Sequence, residues 1–480
     1  MRPNRDGEQK LFSLFGRFSL IIVFGFTSAA AQSFSEFKKL QSASFTEFKD
    51  KQDNEFSKYL QMQWEEYQAY VTPALYKKEK PKNLPAIAEK KTPNVGPNLV
   101  INIKKAKKKI QTVQEKKKGY DLSFEFFGSP IGFDIDKRMK NATFYPNTKK
   151  GIVNFFSQLA ASDYDDILRT LKVTSQEMNL NDWGLYMFVN RLAKSLYSSS
   201  DDAKLFSWFI FNKMGYRVRV GLSPSKHVVL LYAIRGTMYS TPNYILNKKR
   251  YYVISRYNQK STGRIYTYAK EYPSAKKVLN FELKSLPKLT KSFDTKQVSF
   301  KEYGKTYRFS YRYNRNLIAY MKEYPQVDYQ VFFNAPLEYE TYSDIAKNLK
   351  LYTDNKKASA ALNFVLRFVQ KAFGYERDNE QFGREKVMFA EETLYYDKSD
   401  CEDRAVLYAR LVKDLFGISV VGVKYKDHMS TALYVPMRGE SVKVAGQRYV
   451  IADPTYINAS LGQGIPKYRS IIPESFVYVK

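Results

Sequence analysis

The chain holds one cysteine, Cys401, and two histidines, His227 and His428, among 480 residues. Those three residues bound the nucleophilic chemistry open to it. A cysteine nucleophile needs a base to take its proton and a third group to orient that base. Cys401 stands in "KSDCEDRAVLYARLV". There Asp400 reads as an N-cap and puts Cys401 in the first turn of a helix, where free backbone amides and the helix dipole favour thiolate. His428 stands just ahead of "MSTALYV", and Asp453 ends "YVIAD" before a proline that stops a strand ladder. Adjacent antiparallel strands can set two such residues side by side, so Cys401, His428 and Asp453 form the candidate catalytic set.

Such a set attacks a carboxamide or peptide carbonyl, with a backbone amide at the helix start holding the oxyanion. Gln381 and Tyr396 are candidates for a second oxyanion donor. Glu402 and Asp403 read as acids that favour the helix dipole. One cysteine and two distant histidines cannot assemble a zinc cage, so no metal and no cofactor is expected.

The elements that must position these residues recur in order along the chain. "LSFEFFG" from Leu122 returns as "VSFKEYG" from Val298, "DILRTLK" from Asp166 as "DIAKNLK" from Asp344, and "FVNR" from Phe188 as "FVLR" from Phe364. Asp201, Ala203, Leu205 and Gly215 then match Asp403, Ala405, Leu407 and Gly417. This order predicts a tandem duplication, residues 119–275 and 295–480, each copy a hairpin, several helices and then antiparallel strands. Helices followed by an antiparallel sheet make an α+β unit. His227 and His428 each lie six residues after a glycine, Gly221 and Gly422, at corresponding points.

The first copy departs from the second at the chemistry. Ser199 stands at the cysteine position, no Asp or Glu lies between Asp202 and Glu271 to orient His227 from its own sheet, and the position matching Asp453 falls near Arg256. The second copy also carries an inserted stretch, about Tyr375 to Asp400, ahead of its cysteine, where it would wall a cleft. The first copy is therefore expected to keep the fold without activity, a Ser199–His227 dyad being the sharper alternative.

The blocks "EETLYYDKSDCEDRAVLYARLVKDLFG", "YKDHMSTALYV" and "YVIADPTY" resemble the transglutaminase-like cysteine enzyme superfamily, over Ala358 to Ile457. The resemblance implies a papain-like fold, with Cys401 as nucleophile, His428 as general base and acid, and Asp453 holding the imidazole. Members of that superfamily cleave amide bonds, transfer acyl groups to amines, or lack activity. A peptide or protein substrate is implied, with hydrolysis favoured over amine transfer. The competing reading is a non-catalytic envelope binding or scaffold protein.

Composition sets the surroundings. With 44% hydrophobic and 16% aromatic residues the chain can bury sizeable cores. Residues 1–31 read as a signal peptide: basic residues up to Arg17, a short apolar run, then Ala29-Ala30-Ala31. That predicts an exported, periplasmic or secreted protein, with no integral membrane span because the apolar run is short. Phe34, Phe45, Phe56 and Tyr67 recur every eleven residues, with Phe37, Phe48, Tyr59 and Tyr70 three positions later. The repeat predicts one helix over 32–70 with an aromatic stripe. Residues 71–118, rich in Lys and Pro, read as a flexible linker. Its basic run Lys104–Lys118 contributes to the net charge of +30 and suits an anionic envelope surface. No arginine–aromatic stacking pattern points to nucleic acid.

Overall fold

The computed structural model describes residues 34–76, 79–101, 103, 119–254 and 263–480. The signal segment 1–31, the basic run Lys104–Lys118 and Arg256 lie outside the described residues. The chain divides into one unit of residues 1–51, described only as helix from residue 34, and a second of residues 52–480. Among the described residues there are thirteen α-helices, with antiparallel sheets, so the class is mixed α+β. No helix among them is long and apolar enough to cross a membrane.

Two expectations about the N-terminal third are corrected. The helix runs Phe34–Leu60 and stops ten residues short of the 32–70 span. The Trp64 indole donates to the Leu60 carbonyl at 3.0 Å, closing the helix end, and Glu65–Gln68 then pairs with Arg264–Thr267. Tyr67 and Tyr70 thus sit in strands. Cross-strand pairing of aromatic and charged residues outweighs a helical period that is only an extrapolation at that end.

The linker reading of 71–118 also fails where the chain is described. Leu75, Tyr76, Lys80 and Ile101 are buried. Ala86 bridges Ile457, the Ile87 amide donates to the Ile457 carbonyl at 3.1 Å, and the Ala358 amide donates to Pro97 at 2.7 Å. Backbone hydrogen bonds to fixed partners give this stretch a defined path that its Lys/Pro composition conceals.

In the second unit two sheets each carry a long helix. The first sheet has seven strands, in the order Glu65–Gln68, Arg264–Thr267, Val218–Leu222, Val228–Ala233, Lys249–Tyr252, Pro242–Leu246 and Tyr70–Val71, and helix Ser200–Lys213 packs on it. The second has five, in the order Ser441–Val444, Gln447–Ala452, Met429–Leu433, Val420–Lys424 and Ser475–Tyr478, and helix Cys401–Phe416 packs on it. A hairpin precedes each helical run: Leu122–Phe126 with Ser129–Phe133, and Phe293–Glu302 with Lys305–Asn314. Both turn through two positive-φ residues, Phe127-Gly128 and Tyr303-Gly304. That is the geometry a two-residue hairpin needs, and it makes glycine useful at the second position.

Strand alternation divides the five-stranded sheet cleanly. Val420, Met429, Leu433, Val450 and Ala452 join the main core under helix Cys401–Phe416, while Val421, Val423, Ala432, Tyr449 and Ile451 form a separate cluster on the other face. The helix is buried nearly all round, from Cys401 to Val412, by the sheet on one side and helices Ala358–Lys371 and Ala390–Tyr395 on others. Gly422 sits mid-strand, where an added Cβ would stand 2.7 Å from Phe333 Cζ. Gly422→Ala should therefore overpack this contact and destabilise by about 1–3 kcal/mol, read as a lowered urea midpoint at unchanged m-value.

Candidate functional site

Helix Cys401–Phe416 begins at a capping box. The Asp403 carboxylate accepts the Asp400 amide at 3.1 Å, and the Asp400 side chain accepts the Asp403 amide in return. Asp403 also takes the Met388 amide at 2.8 Å, which ties the inserted stretch to the helix start. The far end stops at Gly417 in the left-handed region, φ 68°. Cys401 therefore occupies the first helical position, and it is 1% exposed.

Antiparallel register carries the other two residues. Thr431 pairs with Ala452, so continuing the ladder brings the chain before Met429 alongside the chain after Ala452. His428 Nε2 lies 2.8 Å from Asp453 Oδ2, and both side chains are 2% exposed. Thr455 holds the other Asp453 oxygen with its amide at 2.9 Å and its hydroxyl at 2.6 Å. Burial raises the Asp453 carboxyl, but His428 and Thr455 outweigh it and leave the group below its usual value. Tyr468 stacks on the imidazole at 4.9 Å and on Tyr425 at 4.7 Å, and its hydroxyl donates to Asp427 at 3.1 Å. Asp453 thus faces Nε2, and among the described residues no hydrogen bond engages Nδ1.

Cys401 belongs to the same core as Met429 and Ala452, the neighbours of His428 and Asp453. Its thiol turns elsewhere, however. Sγ donates to Glu402 Oε2 at 3.1 Å and lies 3.9 Å from the Tyr76 hydroxyl, which donates to the same Glu402 oxygen at 3.2 Å. Among the described residues no hydrogen bond joins Cys401 to His428. The expectation of a helix-dipole thiolate is corrected here: burial first, then the Glu402 and Asp400 charges, push the thiol well above its ordinary value.

The acids around the thiol do more than complement a dipole. Asp378, Glu385, Asp400 and Glu402 surround the Lys80 ammonium, at 2.8 Å for Asp378, 2.9 Å for Glu385 and 2.7 Å for Glu402, with Asp400 in direct contact as well. Burial would lower the Lys80 ammonium, but Asp400, Glu402 and Asp378 outweigh it and hold it well above its usual value. Burial raises Asp403 to about 7. The carboxylates of Asp378, Glu385 and Glu402 come close enough to hold a hard cation together, and Lys80 Nζ bonds to all three.

Sequence reasoning missed Lys80, Tyr76, Thr455 and Tyr468. Lys80 is one of several lysines in "YKKEKPKN", and nothing local distinguishes it. The two guesses for a second oxyanion donor are tied up elsewhere: Gln381 Nε2 donates to Lys398 at 3.4 Å, and the Tyr396 ring packs on Phe382 and Tyr395. In the first sheet, His227 Nδ1 lies 3.0 Å from Asp201 Oδ2, a partner from the helix start rather than from the sheet. His227 is 71% exposed, and Ser199 spends its hydroxyl as an N-cap for the Asp202 amide at 3.3 Å.

No family model matches the chain, and no curated protein does. A solved structure from Cytophaga hutchinsonii named "a Putative Cysteine Protease" aligns with 12% identity over 40% of this chain and 76% of its own, at a TM-score of 0.19. That score is too low to support an argument about fold or activity.

The raised Cys401 and Lys80 values share one sign. Folding favours the protonated thiol, so its contribution is constant below the unfolded thiol value of about 8.5 and is lost as pH rises above it. The Lys80 contribution is complete below about 10.4 and is lost as pH rises through the higher folded value. Stability should therefore fall on the alkaline side. Urea melts from pH 7 to 10.5 should show that fall, and Cys401→Ala should flatten its part between about pH 8.5 and 10.

Proposed function

We propose that residues 295–480 form a transglutaminase-like cysteine hydrolase acting on amide bonds of peptides or proteins. Cys401 is the nucleophile, His428 the general base and acid, and Asp453 the residue that orients the imidazole. The observation that carries this reading is the buried 2.8 Å His428–Asp453 pair at the end of the sheet on which the Cys401 helix packs. An orienting carboxylate on one imidazole nitrogen with the other left free is what a cysteine nucleophile requires.

In the reaction His428 Nδ1 takes the Cys401 thiol proton as sulfur attacks the carbonyl carbon. The carbonyl electron pair moves to oxygen, where a backbone amide at the helix start stabilises it. Collapse of this intermediate breaks the C–N bond, and His428 delivers its proton to the departing amine. Water then attacks the thioester with His428 again as base, releasing the carboxylic acid and restoring the thiol. An amine in place of water would give transfer instead of hydrolysis.

Residues 119–275 are, in this reading, a catalytically silent copy of the same α+β unit. The similar hairpin turns, the helix-on-sheet order and the exposed His227 with Ser199 engaged as a cap support that view. The signal-like residues 1–31 support export to a periplasm or beyond, and Lys104–Lys118 would meet an anionic envelope surface. The second reading, a non-catalytic envelope scaffold, draws on the covered and protonated thiol.

Product analysis with peptide amides, with and without a primary amine, separates these readings. Cys401→Ala and His428→Ala should each lose about 10³-fold or more in kcat, and Asp453→Asn about 10²–10⁴-fold. Free acid as the dominant product identifies a hydrolase, and amine adducts would move the assignment to acyl transfer. Equal, slow turnover in all four proteins would leave the scaffold reading standing.

A further inference from the structure

A buried ammonium from one end of the chain occupies an acidic pocket built at the other. Lys80, 5% exposed, reaches Asp378 and Glu385 in the inserted stretch and Asp400 and Glu402 at the Cys401 helix start. An ammonium has three protons to give and four carboxylates surround this one. Asp378 Oδ1 stays buried with no hydrogen-bond partner among the described residues. Arg404, in the first turn of the same helix, spends its guanidinium on Ser399 and on the Gln370, Phe373 and Gly374 carbonyls. Among the described residues Lys80 is the cation that forms ion pairs with these four carboxylates.

The segment bearing Lys80 also covers the thiol. Tyr76 touches Cys401 and Glu402, its ring lies 5.0 Å from Lys80 Nζ, and it packs on Tyr329 with centroids 6.2 Å apart. Beyond Lys80 the chain passes Ile457 and Asn458, just after the Asp453 turn; Asn458 Nδ2 donates to the Ile87 carbonyl at 2.7 Å. The segment thus touches both the candidate nucleophile and the chain just after the Asp453 turn.

We propose that the pocket of Asp378, Glu385, Asp400 and Glu402 is a recognition subsite for an alkylammonium group of the substrate, such as a lysine side chain, and that Lys80 fills it as an internal ligand. This rests on the assignment of Cys401 as nucleophile. Displacing Lys80 frees Tyr76 from above the thiol, so cation recognition and exposure of the nucleophile are one event. Substrates bearing a positive charge near the scissile carbonyl are the ones that compete for the site.

The test reads thiol access and amine binding without turnover. Full-length Lys80→Met, which keeps the apolar stem and removes the charge, should alkylate at Cys401 with iodoacetamide at pH 7.5 at least about tenfold faster than the native chain. Millimolar n-butylammonium should slow that reaction and raise the melting temperature of Lys80→Met, whereas n-butanol should do neither. In the Lys80→Met/Cys401→Ala protein, n-butylammonium should still bind by calorimetry, and adding Glu402→Gln should weaken it. Should Lys80→Met fail to fold, Tyr76→Ala carries the same alkylation test with the cation in place. A folded Lys80→Met that alkylates at the native rate and ignores the amine would overturn the subsite, even if Cys401-dependent turnover were found. Amine binding in a chain without turnover would leave the subsite standing and remove only the hydrolase reading.

Discussion

Four carboxylates converge at the start of the Cys401 helix, and one lysine ammonium makes that convergence tolerable. Carboxylates brought together out of water repel one another and lose hydration, a cost that grows as the local dielectric falls. Burial accordingly raises Asp378, Asp400 and Asp403, while Lys80 pulls against it and Glu402 stays ionised. Breaking a buried pair by removing one partner typically costs about 3–5 kcal/mol.

The thiol and the imidazole are each held by other partners. His428 is held by Asp453 on one nitrogen and by the Tyr468 ring on its face, so its orientation is set without Cys401. Cys401 meanwhile finds Glu402, whose second oxygen is engaged by Lys80. A carboxylate accepting from the thiol disfavours the thiolate, so burial and Glu402 together hold the Cys401 thiol above its ordinary value, with Lys80 pulling against them. The stretch ahead of the cysteine supplies two of the carboxylates, Asp378 and Glu385.

Several local features were legible from residue order. The start and end of helix Cys401–Phe416 follow from Asp400, Asp403 and Gly417, whose capping roles act within a few residues. The strands carrying His428 and Asp453 follow from period-two apolar patterns that the observed face division repeats. The end of the Phe34–Leu60 helix was not legible, since the eleven-residue aromatic spacing continues through Tyr67 into a strand whose partner lies about two hundred residues away. The burial of Leu75, Tyr76, Lys80 and Ile101 was hidden for a related reason: Lys- and Pro-rich chain reads as solvated unless its hydrogen-bond partners, here Ile457 and Ala358, are known.

What residue order determined by itself was the inventory: one thiol, two imidazoles, a carboxylate at a strand end, and helix and strand boundaries set by neighbouring side chains. These depend on propensity, capping and alternation, which are short-range. Tertiary structure decided which acid meets which cation. It paired His428 with Asp453 through strand register, gave His227 the unexpected Asp201, and drew Lys80 from a basic stretch into the pocket beside Cys401. The His428 and Lys80 pairings arise from burial, where a charge must find its counterpart at contact distance, and sequence separation has no bearing on which counterpart that is.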